Sequence, residues 1–225
     1  MTSSPARPIA PLLLGHRGAR ASRHIPENTL ASFELCLQHG CDGFEFDVRR
    51  SSDGAAVICH DPVIRGLRIE STPAKELGLP TIEEVLKSFS SRAFLDIELK
   101  VPGLERLLTA ALREHPPTRG YVVSSFLPQV LTTLYSLDDS APLGFLYERQ
   151  SQLPPAELPL AWMIPHYKMV DRKLVEETHG AGAKIMVWTV NRTADIRRLA
   201  DWAVDAVISD ETELLGKTVP SHVQR

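Results

Sequence analysis

The sequence predicts an α/β protein that folds as a single (β/α)8 barrel with an extra β-hairpin after the second strand. Short apolar runs of strand-like composition alternate, almost throughout the 225 residues, with segments whose apolar residues recur at helical spacing. Repeated strand–helix units indicate a parallel sheet, and eight such strands close into a barrel. No linker-like stretch divides the chain, so we expect one domain over residues 1–225, with a frayed tail at about residues 217–225.

Nine segments have the composition of strands, one more than the barrel needs. In chain order they are PLLLGH, GFEFDV, AAVICH, AFLDIEL, YVVSSF, LGFLYE, AWMIPH, KIMVWTV and DAVISD. The dipeptide Asp53-Gly54, which favours a tight hairpin turn, lies between the second and the third. We therefore expect AAVICH to return antiparallel to GFEFDV. With Asp53 and Gly54 as the two central turn residues, Asp47 would face His60 across this hairpin.

Three segments have the periodicity of amphipathic helices. The first is expected over about residues 28–39 and to end at Gly40. Another has Thr193 as its expected N-cap. The remaining helix has an apolar face that comprises Leu104, Leu107, Leu108, Ala111 and Leu112.

The composition excludes several classes of protein. A formal charge of −3 gives no basic footprint for nucleic acid, so an anionic substrate would need a locally basic pocket. No apolar run approaches the ~20 residues of a membrane helix, and the first residues do not form a signal sequence. The three cysteines have no zinc-type spacing and are expected to be free thiols. We expect a cytoplasmic protein without an integral membrane segment, and the composition leaves its oligomeric state open.

Carboxylates on two predicted strands indicate a metal site. Glu45 and Asp47 are two residues apart, so they project from the same face of their strand. Burial of both is unfavourable unless a divalent cation compensates their charges. Glu98, in LDIELK, adds a third oxygen donor, and Asp96 is a possible fourth. A carboxylate group without cysteine suits one Mg²⁺ or Ca²⁺ ion. Alternatively, the carboxylates are neutralised by Arg17, Arg49 and Lys100.

Two histidines at strand ends add proton carriers to this group. Cleavage of a phosphodiester requires one group to take a proton from the nucleophile and another to protonate the leaving oxygen, and imidazole is suited to both. His16 and His60 are the candidates. Arg17 and Lys100 are expected to bind phosphate oxygens, although either is also a possible ion-pair partner. Together these residues predict metal-assisted phosphodiester chemistry.

Four further residues have weaker signals. Trp188 lies near a strand end and is expected either to wall the pocket or to pack in the core. His166 also ends a strand, and a place at the barrel mouth and a structural role are equally compatible with the sequence. In the PENT segment, Glu27 and Asn28 are expected either to cap the first helix or to brace the metal ligands.

Seven short motifs occur in a characteristic order. They are HRGA, PENT, ExD, the DG turn, HD, IELK and VWTVN, and in this order they resemble the glycerophosphodiester phosphodiesterase family. Each motif alone is weak, but seven in order are specific, and the resemblance extends over nearly the whole chain to AVDAVISDE. It implies a TIM barrel that hydrolyses glycerophosphodiesters to glycerol 3-phosphate and an alcohol, with a divalent metal.

The resemblance also implies roles by position: metal ligands Glu45, Asp47 and Glu98, an acid–base pair His16 and His60, and phosphate-binding residues Arg17 and Lys100. In the family mechanism the glycerol 2-hydroxyl attacks phosphorus, and water then opens the resulting cyclic phosphate. One region departs from the family pattern, because only about 35 residues separate His60 from LDIELK. Many members carry a larger insertion there, so we expect a more open pocket, and the head-group preference stays undetermined.

Two other functions compete with this one. The first is a lyase-type phospholipase D, related to sphingomyelinase D, that acts on lysophospholipid or sphingolipid and stops at a cyclic phosphate. Such proteins are secreted and disulfide-bonded, which the cysteine count and the chain start do not favour. The second is a non-catalytic barrel that binds phosphate ligands. Degenerate family members generally lose a histidine or a metal ligand, whereas all five are present here.

Overall fold

The computed structural model describes residues 10–152, 154 and 158–219. Its strands, in chain order, are β1 (Leu12–His16), β2 (Gly43–Arg50), β3 (Ala56–Ile58), β4 (Val63–Ile64), β5 (Leu67–Arg68), β6 (Phe94–Leu99), β7 (Tyr121–Ser125), β8 (Leu143–Tyr147), β9 (Trp162–Pro165), β10 (Lys184–Val187) and β11 (Ala206–Ser209). Its α-helices are α1 (Leu30–Gln38), α2 (Ala74–Leu77), α3 (Ile82–Phe89), α4 (Glu105–Glu114), α5 (Pro128–Leu137), α6 (Arg172–Gly180), α7 (Thr193–Asp201) and α8 (Thr212–Thr218).

Eight of these strands form a closed parallel barrel. Around the barrel, β1 is followed by β2, β6, β7, β8, β9, β10 and β11, and β11 pairs in parallel with β1. Between consecutive barrel strands the chain forms a helix of seven or more residues, except that the β8–β9 connection has none among its described residues. The predicted (β/α)8 barrel is therefore confirmed.

Two predicted helix starts differ from the structure by one or two residues. In α1 the N-cap is Thr29, whose Oγ1 accepts from the Ser32 amide at 3.1 Å, and Gly40 follows the helix at φ +85° as expected. In α7 the N-cap is Arg192, and the predicted cap Thr193 is the first helical residue. The α4 helix has the predicted apolar face against the barrel.

The extra hairpin after the second strand is present, but its register is shifted by one residue. Strand β3 pairs antiparallel with β2, and the Cys59 amide donates to the Asp47 carbonyl at 2.9 Å. Asp47 therefore faces Cys59, and the predicted pairing of Asp47 with His60 is wrong. The cause is the turn: the Ser51 amide donates to the Ala55 carbonyl at 3.0 Å, and Ser51 Oγ accepts from the Ala55 amide at 3.0 Å. These bonds close a loop of three residues rather than two.

Apolar side chains fill the lower part of the barrel interior. They are Leu14, Phe94, Val122, Leu146, Trp162, Ile164, Met186, Ala206 and Ile208. A second apolar layer lies between the barrel and the helices. There Phe44 stacks on Phe33 of α1 with ring centroids 4.1 Å apart and meets Phe89 of α3 edge-on at 5.1 Å. The alternation of apolar and acidic residues along β2 thus turns Phe44 outwards and Glu45 inwards.

The short segment after His60 forms several small elements of secondary structure. It comprises the β4–β5 hairpin, a 3₁₀ turn (Ile69–Ser71) and α2, packed over a small apolar cluster of Val57, Cys59, Ile69 and Leu77. At the other end of the chain, α8 continues through Thr218 into the predicted tail, and residues 220–225 lie outside the described part. Within the described residues, no helix combines the length and apolar character needed to cross a membrane.

Candidate active site

A pocket of about 230 Å³ lies at the carboxyl-terminal ends of the barrel strands, where (β/α)8 enzymes carry their chemistry. It is lined by seven of the ten predicted site residues, namely His16, Arg17, Glu45, His60, Glu98, Lys100 and Trp188. The sequence did not indicate Phe126 and Glu148, which also line it. Both directly follow barrel strands, which is the signal that identified the two histidines.

The three predicted metal ligands come together at this pocket, which Glu45 and Glu98 line and beside which Asp47 is buried. Glu45, Asp47 and Glu98 each place one oxygen within 4.8 Å of the others. The strand register explains this, because Asp47 is paired with Glu98 across β2 and β6, and Glu45 lies one inward position below Asp47. Asp96 is paired with Glu45, at the deeper position, and its carboxylate accepts from Ser124 Oγ at 2.6 Å. The possible fourth donor is therefore not part of the group.

The three carboxylates are buried and are only partly neutralised. Lys100 Nζ lies 2.8 Å from Glu98 Oε1 and 3.4 Å from Asp47 Oδ1, and Arg17 Nε lies 3.4 Å from Asp47 Oδ2. Burial opposes ionisation of Asp47, but the charges of Lys100 and Arg17 outweigh it and hold its pKa below the usual range. Burial raises the pKa of Glu45 well above its ordinary value, and the charges of Asp47 and Glu98 raise it further. Two cations thus face three acids.

The donor set fits a divalent cation with oxygen ligands. Glu45 Oε1 and Asp47 Oδ1 are buried and accept no hydrogen bond from the described residues. Burial also raises the pKa of Glu98 to about 7. A buried carboxylate oxygen without a donor is unfavourable, and a hard cation such as Mg²⁺ or Ca²⁺ is its usual partner. The alternative of complete neutralisation by arginine and lysine therefore accounts for only part of the negative charge.

His16 is held by an acidic residue that the sequence analysis missed. Its Nδ1 lies 2.7 Å from Asp210 Oδ1, and its Nε2 lies 3.8 Å from Glu45 Oε2. His16 ends β1 and Asp210 follows β11, so barrel closure brings together two residues that are 194 positions apart. Asp210 directly follows the last strand, and this position is the one sequence signal that pointed to it.

His60 is held by its neighbour and by an arginine. Its Nδ1 lies 2.7 Å from Oδ1 of the exposed Asp61, and its carbonyl accepts from Arg49 Nε at 2.7 Å. Arg49 therefore positions a proposed proton carrier rather than neutralising the metal-ligand group. Burial lowers the pKa of His60, while the charge of Asp47 and the bond to Asp61 act in the opposite direction.

Comparison with known protein families identifies the family of this chain. The model of the glycerophosphoryl diester phosphodiesterase family matches residues 16–118 and 110–214. The chain belongs to the glycerophosphoryl diester phosphodiesterase family. The resemblance inferred from the motifs is thereby confirmed, and so is the prediction of a phosphoric diester hydrolase at the level of the family.

Individual members of the family are similar over half of the chain or more. A glycerophosphodiester phosphodiesterase of Caldanaerobacter subterraneus subsp. tengcongensis is 28% identical over an alignment of 235 positions. The alignment covers 91% of this chain and 96% of that protein. A probable glycerophosphodiester phosphodiesterase 1 of Mycobacterium tuberculosis is 51% identical over 120 residues, covering 50% of this chain and 42% of that protein. A phosphodiesterase of Oleispira antarctica, solved with the product sn-glycerol-3-phosphate, superposes with a TM-score of 0.82 at 27% identity and covers 93% of this chain and 96% of that one.

In this family member the PENT segment contacts the site directly. Asn28 Nδ2 donates to Asp47 Oδ2 at 2.8 Å, and Asn28 has a left-handed backbone (φ 57°), which asparagine tolerates. Glu27 Oε1 accepts from Arg17 Nη1 at 2.8 Å. Thr29 caps α1, so the prediction that Glu27 or Asn28 caps this helix is wrong. The alternative holds for Asn28, which braces a predicted metal ligand, whereas Glu27 holds a predicted phosphate-binding residue.

Aromatic side chains form the opposite wall of the pocket. Trp188 Nε1 donates to the Ile164 carbonyl at 3.0 Å, and the indole meets the Phe126 ring edge-on at 5.5 Å. Trp188 thus walls the pocket, one of its two predicted alternatives. His166 packs edge-on against Trp188 at 5.4 Å and does not line the pocket. Of its two alternatives, the contact with the indole outside the pocket lining fits the structural one.

A second pocket of about 340 Å³ lies on the other side of His60, and we call it the side cleft. Its apolar lining comprises Pro26, Ile58, Cys59, Val63, Ile64, Leu79 and Pro80. Val63 is 42% exposed, the single large apolar side chain among the described residues that is exposed to this degree. The short segment after His60 therefore forms one wall of a cleft adjoining the active-site pocket.

Proposed function

We propose that this chain hydrolyses glycerophosphodiesters to glycerol 3-phosphate and an alcohol, with one Mg²⁺ or Ca²⁺ ion. The observation that carries the proposal is that two histidines and two cations line one pocket, beside a group of three buried carboxylates. The family membership supports the reaction class. The Oleispira antarctica neighbour, which holds sn-glycerol-3-phosphate on the same fold, supports the product.

Glu45, Asp47 and Glu98 would hold the cation, since they supply three buried oxygens at one point. A bound divalent cation would lower the pKa of a coordinated hydroxyl group and neutralise charge that develops on the phosphate. Arg17 and Lys100 line the same pocket and would bind the non-bridging phosphate oxygens, Arg17 through its planar fork and Lys100 as a point charge. Their positive charges offset the negative charge of an anionic substrate in a pocket that is otherwise acidic.

The two histidines would carry the protons. As the glycerol 2-hydroxyl attacks phosphorus, one histidine takes its proton and the other protonates the alcohol that leaves, which gives a cyclic phosphate. Water then opens this ring with the two roles reversed. Each histidine has a carboxylate partner at Nδ1, Asp210 for His16 and Asp61 for His60, so Nε2 is available to the substrate in both.

The test is the release of glycerol 3-phosphate from glycerophosphocholine and glycerophosphoethanolamine, with Mg²⁺, Ca²⁺ or EDTA. Release that requires a divalent cation supports the proposal, and comparison of the two ions identifies the preferred one. A cyclic phosphate as the final product would instead support the phospholipase D-like lyase. Binding of glycerol 3-phosphate without turnover of either diester would support the non-catalytic barrel. The three cysteines are free and buried, so no observation favours the disulfide-bonded lyase.

A further inference from the structure

Asp210 receives hydrogen-bond donors on both of its carboxylate oxygens. Oδ1 lies 2.7 Å from His16 Nδ1 and accepts from Arg20 Nη1 at 3.1 Å. Oδ2 accepts from Asn191 Nδ2 at 2.7 Å. Arg20 is in turn held by Glu27 Oε2, which accepts from Arg20 Nε at 2.7 Å. The carboxylate is thus fixed from two sides, between the loop after β1 and the loop after β10.

The orientation of the Asn191 amide is fixed by its other contacts. Asn191 Oδ1 accepts from the Asp210 amide at 2.9 Å and from Ser209 Oγ at 3.1 Å. A flip of the amide would place NH₂ against the Asp210 N–H, which can only donate, and lose that bond. Asn191 Nδ2 must therefore point at Asp210 Oδ2, and the residue at position 210 must accept there.

These donors keep Asp210 ionised. Burial raises the pKa of Asp210, but the hydrogen bonds from His16, Asn191 and Arg20 outweigh it and hold the pKa well below the usual range. An ionised carboxylate only accepts hydrogen bonds. Whenever the His16 ring carries a single proton, that proton therefore lies on Nδ1, which leaves a lone pair on Nε2, the ring nitrogen on the side of Glu45.

We propose that Asp210 is a positioning residue for this hydrolysis: held as an acceptor by Asn191 and Arg20, it fixes His16 in the Nδ1–H form with Nε2 free to accept a proton. The inference rests on the proposed function in one respect, that His16 is a proton carrier. It adds to that function the residues that select the reactive form of the imidazole, one of which lies in the VWTVN motif.

An asparagine at position 210 cannot satisfy this arrangement, because an amide has one acceptor oxygen. If that oxygen faces His16, the NH₂ group opposes the NH₂ group of Asn191. If it faces Asn191, the NH₂ group donates to His16 Nδ1 and the imidazole proton moves to Nε2, where the acceptor is needed. Asp210→Asn therefore either breaks the contact with Asn191 or reverses the His16 tautomer.

The first test compares steady-state kinetics of Asp210→Asn with a matched control at the other end of the same strand. We expect kcat to fall about 10²–10⁴-fold, the usual contribution of a positioned proton carrier, with KM changed less than about threefold. Asp205 precedes β11 at the opposite end, and its carboxylate lies 2.8 Å from His179 Nε2. Asp205→Asn removes a His–Asp pair of similar length and should leave kcat within about threefold of wild type. Equal losses in both variants would overturn the proposal.

The decisive test is a rescue. The double variant combines Asn191→Asp with Asp210→Asn. Its new carboxylate at position 191 accepts from the backbone N–H of residue 210, from the Ser209 hydroxyl and from the side-chain NH₂ group of residue 210. The amide oxygen at 210 then faces His16 and restores the Nδ1–H form. We expect kcat of the double variant to exceed that of Asp210→Asn by at least about tenfold. A double variant no better than Asp210→Asn would contradict the proposal.

A spectroscopic readout separates this inference from the proposed function. Nitrogen-15 NMR of the histidine rings, with His16 assigned from its loss in His16→Ala, reports which ring nitrogen bears the proton without any turnover. We expect Nδ1–H in wild type and in the double variant, and Nε2–H or a mixture in Asp210→Asn. If wild type hydrolyses no glycerophosphodiester, the proposed function fails while the tautomer result still decides the role of Asp210. An unchanged tautomer in Asp210→Asn, together with a kcat within about threefold of wild type, would overturn the inference.

Discussion

Replacement of Glu98 by glutamine should stabilise the protein without metal and abolish its stabilisation by metal. Glu98 is buried beside Asp47, and its pKa is raised from an ordinary 4.5 to about 7, first by burial. The folded protein therefore binds more protons than the unfolded chain between these values. By linkage, the free energy of unfolding falls as the pH rises from about 4.5 to about 7 and does not recover above it.

The magnitude follows from the same two pKa values. At 1.36 kcal/mol for each pKa unit, the difference between 4.5 and about 7 amounts to about 3 kcal/mol of destabilisation by ionised Glu98 at pH 8. Glutamine carries no charge, so the substitution removes this destabilisation. Lys100 is not left unpaired in the variant, because its Nζ is also 3.4 Å from Asp47 Oδ1. In EDTA at pH 8, Glu98→Gln should therefore be more stable than wild type by up to about 3 kcal/mol.

A divalent cation should reverse the order. Ligand that binds only the folded state adds about 2.7 kcal/mol at a concentration one hundred times its Kd. Wild type should gain this amount, and Glu98→Gln, which lacks one of three carboxylate oxygens, should gain much less. The assay is urea unfolding at pH 8 with EDTA, Mg²⁺ or Ca²⁺. Activity should be lost in the variant that is more stable without metal.

A control variant keeps this prediction specific. Glu105 is also buried but lies on α4, where its Oε2 accepts from the Gly103 amide at 2.8 Å. Glu105→Gln should not be stabilised in EDTA, and its response to metal should equal that of wild type. If Glu98→Gln is less stable than wild type in EDTA, or responds to metal as wild type does, the electrostatic reasoning about the carboxylate group is wrong.

Four further variants test three other residues of the site. His16→Ala should lower kcat by about 10²–10⁴-fold or more while glycerol 3-phosphate still binds, as measured by titration calorimetry; full turnover would refute the role of His16. Asn28→Gly loses the bond to Asp47 and should lower the free energy of unfolding by about 1.5–3 kcal/mol in urea, with Asn28→Ala about 1 kcal/mol worse because of its left-handed backbone. Arg17→Lys keeps the charge but loses the planar fork, so kcat/KM should fall about tenfold, and an unchanged value would exclude a bidentate contact.

Much of the site was predictable because it depends on local periodicity. Glu45 and Asp47 share the inner face of β2 because successive side chains of a strand alternate, and Phe44 takes the outer face for the same reason. Strand ends at His16 and Val187 placed the histidine and Trp188 near the barrel mouth. These inferences need only two facts: which segments form strands, and that the carboxyl ends of parallel strands lie at the same edge of a sheet.

Predictions that needed a precise count or a side-chain orientation were less accurate. The hairpin register was wrong by one residue because the side chain of Ser51 closes a three-residue loop, and a hairpin register is set by its loop length. Asp96 shares the inner face with Glu98 but lies one position deeper, where Ser124 Oγ donates to its Oδ1. Arg49 donates to the His60 carbonyl instead of pairing with a carboxylate.

The sequence by itself determined the alternation of strands and helices, the inward face of each acidic strand and, through the order of seven motifs, the family. Only the tertiary structure decided which groups meet across the barrel. Asp210 reaches His16 because β11 closes against β1, and Asn191 reaches Asp210 because β10 lies beside β11. Periodicity is a property of neighbouring residues and can be counted along the chain. Barrel closure depends on all eight strands together, so contacts between its first and last strands carry no local signal.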